Sequence, residues 1–326
     1  SMAPMFARMT HKNRVKIISS LLGIPEGKII SSEHHLTHAF SAIFSGDFLQ
    51  DKSDKNVLVI TVDGEGDMLS SSVGIFNPKT LKYERIAQSN YAESIGHFYS
   101  AVTSYLGMKV LEHEYKVMGL APYSRTEKAD ELYRKLCECI WIDDELQIRT
   151  KLHSHHFDKL FEKLFKGIRF DYVAAAAQKL VETLLVGLVK KAIAKTNLHD
   201  VALAGGVFMN VKANYDILKL PEVNKLFIMP SCGDESLPIG SCYYGTLLND
   251  KNSMMNKTAL QNIYFGPEYT HEEILKAFEE SDYEYRDFGR RINVETSRLL
   301  AEGEIVARFD GRMEFGARAL GNRSIL

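Results

Sequence analysis

The sequence predicts an α/β fold in which helices flank a mixed β-sheet. Residues 56–62 form a β-branched apolar run that is typical of a buried central strand. Two further strand patterns follow at residues 70–76 and 83–88, so these three consecutive strands should form a meander. Residues 201–204 and 225–229 are two more strands, and each runs into a loop and then a helix. A meander followed by two strand-loop-helix units favours a mixed sheet.

The other predicted elements are mainly helices. Residues 14–23 have the apolar spacing of a helix, and a short strand at 28–31 should lead into a helix that carries histidines. Residues 170–196 repeat apolar side chains every four positions, which predicts a long core helix. Further helices are predicted at 95–106, within the charged segment 129–166, at 271–281 and at 294–302, with a last strand at 305–309. The polar segment 249–258 is predicted to be a linker.

The composition is that of an ordinary globular protein. The chain has 326 residues, of which 45% are hydrophobic and 25% charged, and its net charge is -2. This charge gives no general attraction to phosphate backbones or anionic membranes, so neither nucleic acid nor a membrane is an expected partner. No apolar run that approaches a membrane span is recognised in the sequence, and no signal-peptide pattern opens it. The cysteines form no CxxC pair, which favours reduced thiols and a cytoplasmic protein.

Four residues are candidate metal ligands. His34 and His38 are four positions apart, so a helix would place both imidazoles on one face about 6 Å apart. Asp63 follows the first buried strand, and Asp234 follows the strand at 225–229. Two imidazoles and two carboxylates suit Fe²⁺, Mn²⁺ or Zn²⁺. The alternatives are a polar helix end with incidental histidines, an Asp-Gly hairpin turn at Asp63, and a helix cap at Asp234.

Two glycine-rich segments are candidate phosphate or nucleotide sites. Gly205 and Gly206 lie between a buried strand and a helix, where bare backbone and a helix N-terminus favour negative charge. The alternative is a tight turn with close packing between helix and strand. Neither a Walker A loop nor a strand-bound GxGxxG is present, which disfavours P-loop and Rossmann sites. Residues 311–324 place three arginines among glycines, an arrangement suited to phosphate oxygens.

Seven motifs, taken in order, resemble those of the O-carbamoyltransferases of nodulation-factor and antibiotic biosynthesis. They are HHLTHAFSA, VDGEGD, SIGHFYSAVTSYLG, YKVMGLAPYS, AGGVFMNVKAN, PSCGDESLPIG and GRMEFGARALGNRSIL, within residues 30–326. The resemblance implies an actin/sugar-kinase-like ATPase fold followed by a YrdC-like domain, and a relationship to the tRNA threonylcarbamoyl transferases. It also implies that carbamoyl phosphate and ATP form a carbamoyl-adenylate, whose carbamoyl group then passes to a hydroxyl of a small-molecule acceptor.

The same resemblance implies roles for individual residues. It assigns a metal, commonly iron and hence Fe²⁺ before Zn²⁺ or Mn²⁺, to His34, His38, Asp63 and Asp234. The residues implied to face the adenylate are Gly96, Gly205, Gly206 and Asn210. Arg318 and Arg323 are implied to bind carbamoyl phosphate and ATP. The residues indicate no catalytic base.

The resemblance also implies an organisation in three parts. Residues 1–55 would be the remnant of a first lobe with the histidine helix, 56–248 a second lobe, and 249–326 a linker with the start of the YrdC-like domain. The chain is thus expected to be truncated at both ends, which leaves turnover open. Tyr115 is one departure, because glycine is common before the lysine that follows it. Two alternatives are a tRNA-modifying relative, which should have a basic face, and an inactive metal- or nucleotide-binding fragment. A homodimer is also left open.

Overall fold

The computed structural model describes residues 3–50, 55–316 and 318–326, the first ten of them by their backbone only. The helices are α1 (Ala3–Leu22), α2 (His34–Ser45), α3 (Ile95–Tyr105), α4 (Glu114–Leu120), α5 (Glu127–Cys137), α6 (Phe157–Leu164), α7 (Phe170–Thr196), α8 (Val211–Leu218), α9 (Leu237–Asn249), α10 (Lys251–Met255), α11 (His271–Glu279) and α12 (Ile292–Ala301). The strands are β1 (Val57–Gly66), β2 (Leu69–Asn77), β3 (Lys82–Asn90), β4 (Ile140–Ile142), β5 (Ile148–Thr150), β6 (Asp200–Ala204), β7 (Lys225–Ile228), β8 (Ala307–Phe309) and β9 (Arg323–Ile325).

A five-stranded mixed sheet with the order β3-β2-β1-β6-β7 forms the centre of the fold. β1, β2 and β3 pair antiparallel, whereas β6 and β7 extend the sheet in parallel with β1. Every residue of β1 from 57 to 62 is buried. Because successive strand residues point to opposite faces, both faces of β1 are covered. These contacts confirm the predicted mixed sheet, with its meander and its two strand-loop-helix units.

Helices cover this sheet and bring chain segments to its edge. α2 packs against β1 and β6, while α3 and α7 also contact β1. α9 lies so close to α2 that a Cβ atom added to Gly240 would lie 1.9 Å from the carbonyl oxygen of Thr37. This glycine therefore allows the backbones of the two helices to meet directly beside His38.

The predicted core helix is present as α7, with its apolar side chains largely buried. Its length and mean hydropathy of 1.4 would suffice to cross a membrane, contrary to the expectation that no apolar run approaches that length. However, 61% of that apolar window is buried inside the protein. That burial is typical of a core helix in a folded domain.

Two regions differ from the sequence-based expectations. The strand predicted at 28–31 is absent: Glu26–Lys28 form a short 3-10 turn and Ile30 is exposed. A short β-branched run becomes a strand only where it pairs with a neighbouring strand. The sheet has β3 and β7 as its edge strands, and residues 28–31 pair with neither of them. Within the segment predicted as a linker, the structure forms α10, and Met254 of this helix is buried. The charged segment 129–166 also contains the β4-β5 hairpin between its helices.

Candidate metal centre

The first turn of α2 is held in place by carboxylates. The Glu33 side chain accepts hydrogen bonds from the backbone N–H groups of His35 and Leu36, and therefore caps the helix. Asp67 accepts a further hydrogen bond of 2.8 Å from the backbone N–H of His34. Asp67 has a φ of 49° in the tight turn between β1 and β2, which directs its side chain back to α2. Negative charge at this end also stabilises the helix dipole.

The side chains of His34, His38, Asp63 and Asp234 converge beside this helix turn, with one ligand atom of each within 4.8 Å of the others. Nε2 of His34 lies 2.9 Å from Oδ2 of Asp63 and 3.2 Å from Nε2 of His38. Oδ1 of Asp234 lies 3.5 Å from Nε2 of both histidines. The structure thus brings together the four residues that the sequence marked as candidate ligands.

The donor set and its spacing fit a divalent cation. Metal–ligand bonds of about 2.1 Å in a tetrahedral site place ligand atoms about 3.4 Å apart. The distances between histidine and aspartate atoms in this cluster are 2.9 to 3.5 Å. Both imidazoles present the same nitrogen, Nε2, to the carboxylates and to each other. Two neutral imidazoles and two carboxylates would supply two negative charges and four donor atoms, which suits Fe²⁺, Mn²⁺ or Zn²⁺.

The inner and outer sides of the cluster differ in burial. The His38 side chain is fully buried, whereas that of Asp234 is 69% exposed. Burial lowers the pKa of His38, but hydrogen bonds to Asp234 and Asp63 outweigh it, and the pKa is raised. Burial raises the pKa of Asp63, yet the hydrogen bonds from His34 and His38 outweigh this and hold it well below its usual range. The cluster therefore has a buried floor, formed by His38 and Asp63, and a side open to solvent at Asp234.

Neighbouring groups orient these side chains. Oδ1 of Asp63 accepts a hydrogen bond of 2.9 Å from the backbone N–H of Gly206. Nδ1 of His38 lies 3.3 Å from the buried hydroxyl of Ser236. The His34 ring packs on Gly66, where an added Cβ would lie 2.1 Å from the ring. Such outer contacts fix the direction of the ligand atoms, as they do in metal sites generally.

Comparison with known proteins identifies the family. Residues 8–243 match the family described as Carbamoyltransferase N-terminus, and residues 297–326 match the one described as Carbamoyltransferase C-terminus. The chain belongs to the carbamoyltransferase family. This confirms the resemblance on which the sequence interpretation depends.

The relatives of this chain are distant. MJ1058 of Methanocaldococcus jannaschii, described as uncharacterized, is 31% identical over 319 residues, 90% of this chain and 50% of the relative. Nodulation protein NolNO of Sinorhizobium fredii is 27% identical and covers 93% of this chain and 44% of its own length. The 3'-hydroxymethylcephem-O-carbamoyltransferase of Streptomyces clavuligerus is 24% identical, over 65% of this chain and 38% of that enzyme. The chain thus spans about half the length of the first two relatives.

Among solved structures, full-length HypF in the phosphate- and nucleotide-bound form is similar with a TM-score of 0.47 at 16% identity. The similarity covers 69% of this chain and 44% of HypF.

The glycines predicted to face a nucleotide allow close backbone contacts. A Cβ at Gly96 would lie 2.8 Å from the Gly64 backbone, so α3 begins directly on the end of β1. Gly205 has a φ of 97°, and a Cβ there would lie 2.3 Å from the carbonyl oxygen of Val62. Both positions therefore require glycine for packing. A role in nucleotide binding stays a prediction.

Asn210 lies in a buried hydrogen-bond network. Its amide exchanges two hydrogen bonds of 2.9 Å with the amide of Gln178, and its Oδ1 also caps α8. The hydroxyl of Tyr99 donates to Gln178 Oε1 at 2.6 Å. The network therefore joins α3 and α7 to the start of α8. Contact of Asn210 with an adenylate stays a prediction.

Of the two predicted arginines, Arg318 lies in the loop between β8 and β9, and Arg323 is the first residue of β9. The Arg318 guanidinium stacks on the Tyr115 ring, 3.3 Å from its centroid. Arg323 donates to the carbonyl oxygen of Gly316 at 3.0 Å. Within the described residues, neither arginine contacts the four-residue cluster. The loop itself nevertheless reaches the cluster's surroundings, since a Cβ at Gly316 would lie 2.7 Å from Oγ of Ser231, near Asp234.

Glu314 is a structural residue of this loop that the sequence interpretation missed. Its buried Oε1 accepts hydrogen bonds from the backbone N–H groups of Leu320, Asn322 and Arg323, at 2.7, 2.8 and 3.2 Å. A carboxylate that accepts three backbone hydrogen bonds stabilises the conformation of the arginine loop, the segment between β8 and β9. The sequence shows that Glu314 is an acidic residue among arginines and glycines. However, residue spacing does not identify which backbone amides its carboxylate would bind.

Proposed function

We propose that the protein transfers a carbamoyl group from a carbamoyl-adenylate, itself made from carbamoyl phosphate and ATP, to a hydroxyl of a small molecule. The observation that carries this proposal is the convergence of His34, His38, Asp63 and Asp234 in a chain of the carbamoyltransferase family. The name of the Streptomyces relative describes carbamoyl transfer to oxygen of a hydroxymethyl compound, which supports a hydroxyl acceptor.

The transfer requires one bond to form and one to break. The acceptor oxygen bonds to the carbamoyl carbon, the bond from that carbon to the adenylate oxygen breaks, and AMP leaves with the electron pair. The hydroxyl proton passes to a base, for which the residues indicate no candidate. A divalent ion in the cluster, with Fe²⁺ preferred over Zn²⁺ or Mn²⁺, would supply Lewis-acid stabilisation of the developing charge.

The chain's own residues would orient the reactants. His38 and Asp63 form the buried floor, and the exposed side chain of Asp234 marks the side from which a substrate can approach. Asp63 is held by Gly206, so an adenylate bound along Gly205, Gly206 and Asn210, with Gly96 nearby, would lie beside the cluster. We assign Arg318 and Arg323 to the carbamoyl phosphate and ATP site. The packing of the β8–β9 loop on Ser231 supports this assignment.

We propose that the mixed sheet is part of an actin/sugar-kinase-like fold and that the C-terminal residues begin a YrdC-like domain. Its helix-flanked strands and the match to the family's C-terminal part support this. We also propose a cytoplasmic protein, since the cysteines form no CxxC pair. A small-molecule acceptor is favoured over nucleic acid, because the net charge of -2 offers nucleic acid no general attraction.

The metal part of the proposal is tested by metal analysis of purified protein after loading. His38→Ala should lose about one equivalent of bound metal, because it removes a fully buried donor atom. His271→Ala is the matched control, since this histidine is exposed and lies outside the cluster. Unchanged metal content in His38→Ala would reject the site.

The reaction is tested by mixing the loaded protein with carbamoyl-adenylate and a panel of hydroxyl compounds. We expect AMP release that requires an acceptor, together with a product heavier by one carbamoyl group in mass spectrometry. His38→Ala should lose both signals, whereas His271→Ala should keep them. AMP release that is independent of acceptor and unaffected by His38→Ala would argue against the transfer.

A further inference from the structure

A second group of potential ligands lies outside the four-residue cluster. Side-chain donor atoms of Glu65, His97 and His155 lie within 4.8 Å of one another. Oε2 of Glu65 is 3.9 Å from Nε2 of His97 and 3.9 Å from Nε2 of His155. We propose that these three residues form a second divalent cation site, distinct from the cluster around His38.

The three ligand-bearing segments are joined by two buried serines. Ser94 caps α3 by accepting from the backbone N–H of His97, and its hydroxyl donates to the carbonyl oxygen of Gly64, next to Glu65, at 2.6 Å. Ser154 precedes His155, and its backbone N–H donates to the carbonyl oxygen of Ala92 at 2.8 Å. Hydrogen bonds between separate parts of the chain therefore hold the three ligands close together. Surface histidines that met by chance would not need such buried contacts.

Hydrogen bonding also prepares His97 to be a ligand. The Ser154 hydroxyl donates its proton to the carbonyl oxygen of Tyr91 at 3.0 Å, so its oxygen is left to accept from Nδ1 of His97, 3.2 Å away. The proton of the neutral imidazole then lies on Nδ1, and Nε2 carries the free lone pair that faces Glu65. An outer hydrogen bond that fixes the tautomer in this way is usual for metal-binding histidines.

The other two ligands are free to close on an ion. The side chains of Glu65 and His155 are 49% and 54% exposed, and Oε2 of Glu65 lies 3.9 Å from Nε2 of each histidine, slightly longer than in an occupied site. Movement of the exposed Glu65 side chain by about 0.5 Å would give ordinary spacing between its carboxylate and the imidazoles. The His155 ring is supported by His153, stacked at 5.0 Å, and by Tyr91 at 6.1 Å.

The donor chemistry indicates the class of ion. Two imidazoles and one carboxylate are a common set for Zn²⁺ and other borderline transition ions, and such three-ligand sites keep a position open for water or an outside oxygen ligand. Asp63 and Glu65 lie two residues apart at the end of β1, so the two sites would share one strand end. This second site does not depend on the proposed carbamoyl transfer.

The test is a zinc titration of the chelator-stripped chain, followed by metal analysis after dialysis against a fixed free Zn²⁺ concentration. The parent should hold about two equivalents, and His38→Ala and His155→Gln about one each. The double variant should hold about none. His156→Gln is the matched control, because this exposed neighbour lies outside the group, and it should bind as the parent does.

Because the His155 side chain is exposed, its replacement should not prevent folding. A Co²⁺ absorption spectrum provides a second measurement of the same site. Loss of the equivalent in His155→Gln should be matched by loss of part of the visible Co²⁺ bands. Zinc content that is equal in the parent and in His155→Gln would overturn the second site, as would a double variant that keeps one equivalent. If the parent held one equivalent and only His155→Gln removed it, the second site would be upheld and the site around His38 rejected.

Discussion

The backbone N–H of Gly206 donates a hydrogen bond of 2.9 Å to Oδ1 of Asp63, while the other oxygen of this carboxylate lies 2.9 Å from Nε2 of His34. One side chain thus connects the glycine loop after β6 with the histidine helix. Because the donor is a backbone group, the position of Asp63 depends on the path of the loop. Any change in that path should therefore be transmitted to the cluster.

Gly206→Ala should weaken metal binding without unfolding the protein. A Cβ at this position would lie 2.8 Å from Oδ1 of Asp63, so the carboxylate must shift. Displacement of a group that orients a ligand typically reduces metal affinity about 10- to 100-fold. Competition titration with a chelator of known affinity would measure the change.

Gly119→Ala is the control for this variant, since a Cβ there would meet no atom within 4 Å. Its metal affinity should equal that of the parent. If Gly206→Ala bound metal as tightly as Gly119→Ala, the hydrogen bond to Gly206 would have no part in orienting Asp63.

Gly240→Ala should destabilise the protein. The added Cβ would lie 1.9 Å from the carbonyl oxygen of Thr37, and backbone cannot move aside as a flexible side chain can. Forcing α2 and α9 apart should lower the free energy of unfolding by about 1–3 kcal/mol. Gly245→Ala is a control on the same helix, with no atom within 4 Å of the new Cβ, and should be neutral or slightly stabilising. Denaturant unfolding of both variants would decide, and equal midpoints would contradict the close contact.

Much of the fold could be predicted because its signals are local. The apolar run of β1 and the four-residue repeat of α7 each report burial directly in the sequence. The predicted strand at 28–31 failed because a strand also needs a neighbour, which no local pattern supplies. Helical spacing likewise predicted that His34 and His38 would share a face.

Contacts between distant segments were beyond the reach of sequence reasoning. Glu65, His97 and His155 come together where the buried serines join the end of β1, the start of α3 and the segment of His155. The glycines at 96 and 240 are explained by backbone atoms of other elements that lie against them. Such contacts depend on the three-dimensional path of the chain, and residue spacing alone does not predict them.

Stability should fall in mildly acidic solution because of His35. Burial lowers the pKa of this imidazole to about 4, with a hydrogen bond of 2.8 Å between its Nδ1 and Oγ1 of Thr61. The unfolded chain protonates it near pH 6.5, so folding favours the neutral form. Its contribution is complete above about pH 6.5 and is lost as the pH falls toward 4, by up to about 3 kcal/mol.

The measurement is the free energy of unfolding from pH 7 to 4 in chelator-stripped protein. His35→Asn keeps a polar atom near Thr61 but cannot titrate, so its stability should fall less steeply with acid than that of the parent. His271→Asn, at an exposed histidine, should keep the parental slope. The same slope in parent and His35→Asn would show that His35 is not the group responsible.

Glu314→Ala should loosen the arginine loop between β8 and β9. The variant removes the common acceptor of the amides of Leu320, Asn322 and Arg323, and these groups lose hydrogen bonds to a buried carboxylate. Amide hydrogen exchange at these positions should accelerate about tenfold, because each such bond contributes on the order of 1–2 kcal/mol. Glu314→Gln keeps an oxygen acceptor and should show a smaller change. Glu304→Ala, at an exposed glutamate of the same region, should leave exchange unaltered. If exchange at the three amides were the same in Glu314→Ala and Glu304→Ala, the carboxylate would not be the group that shapes the loop.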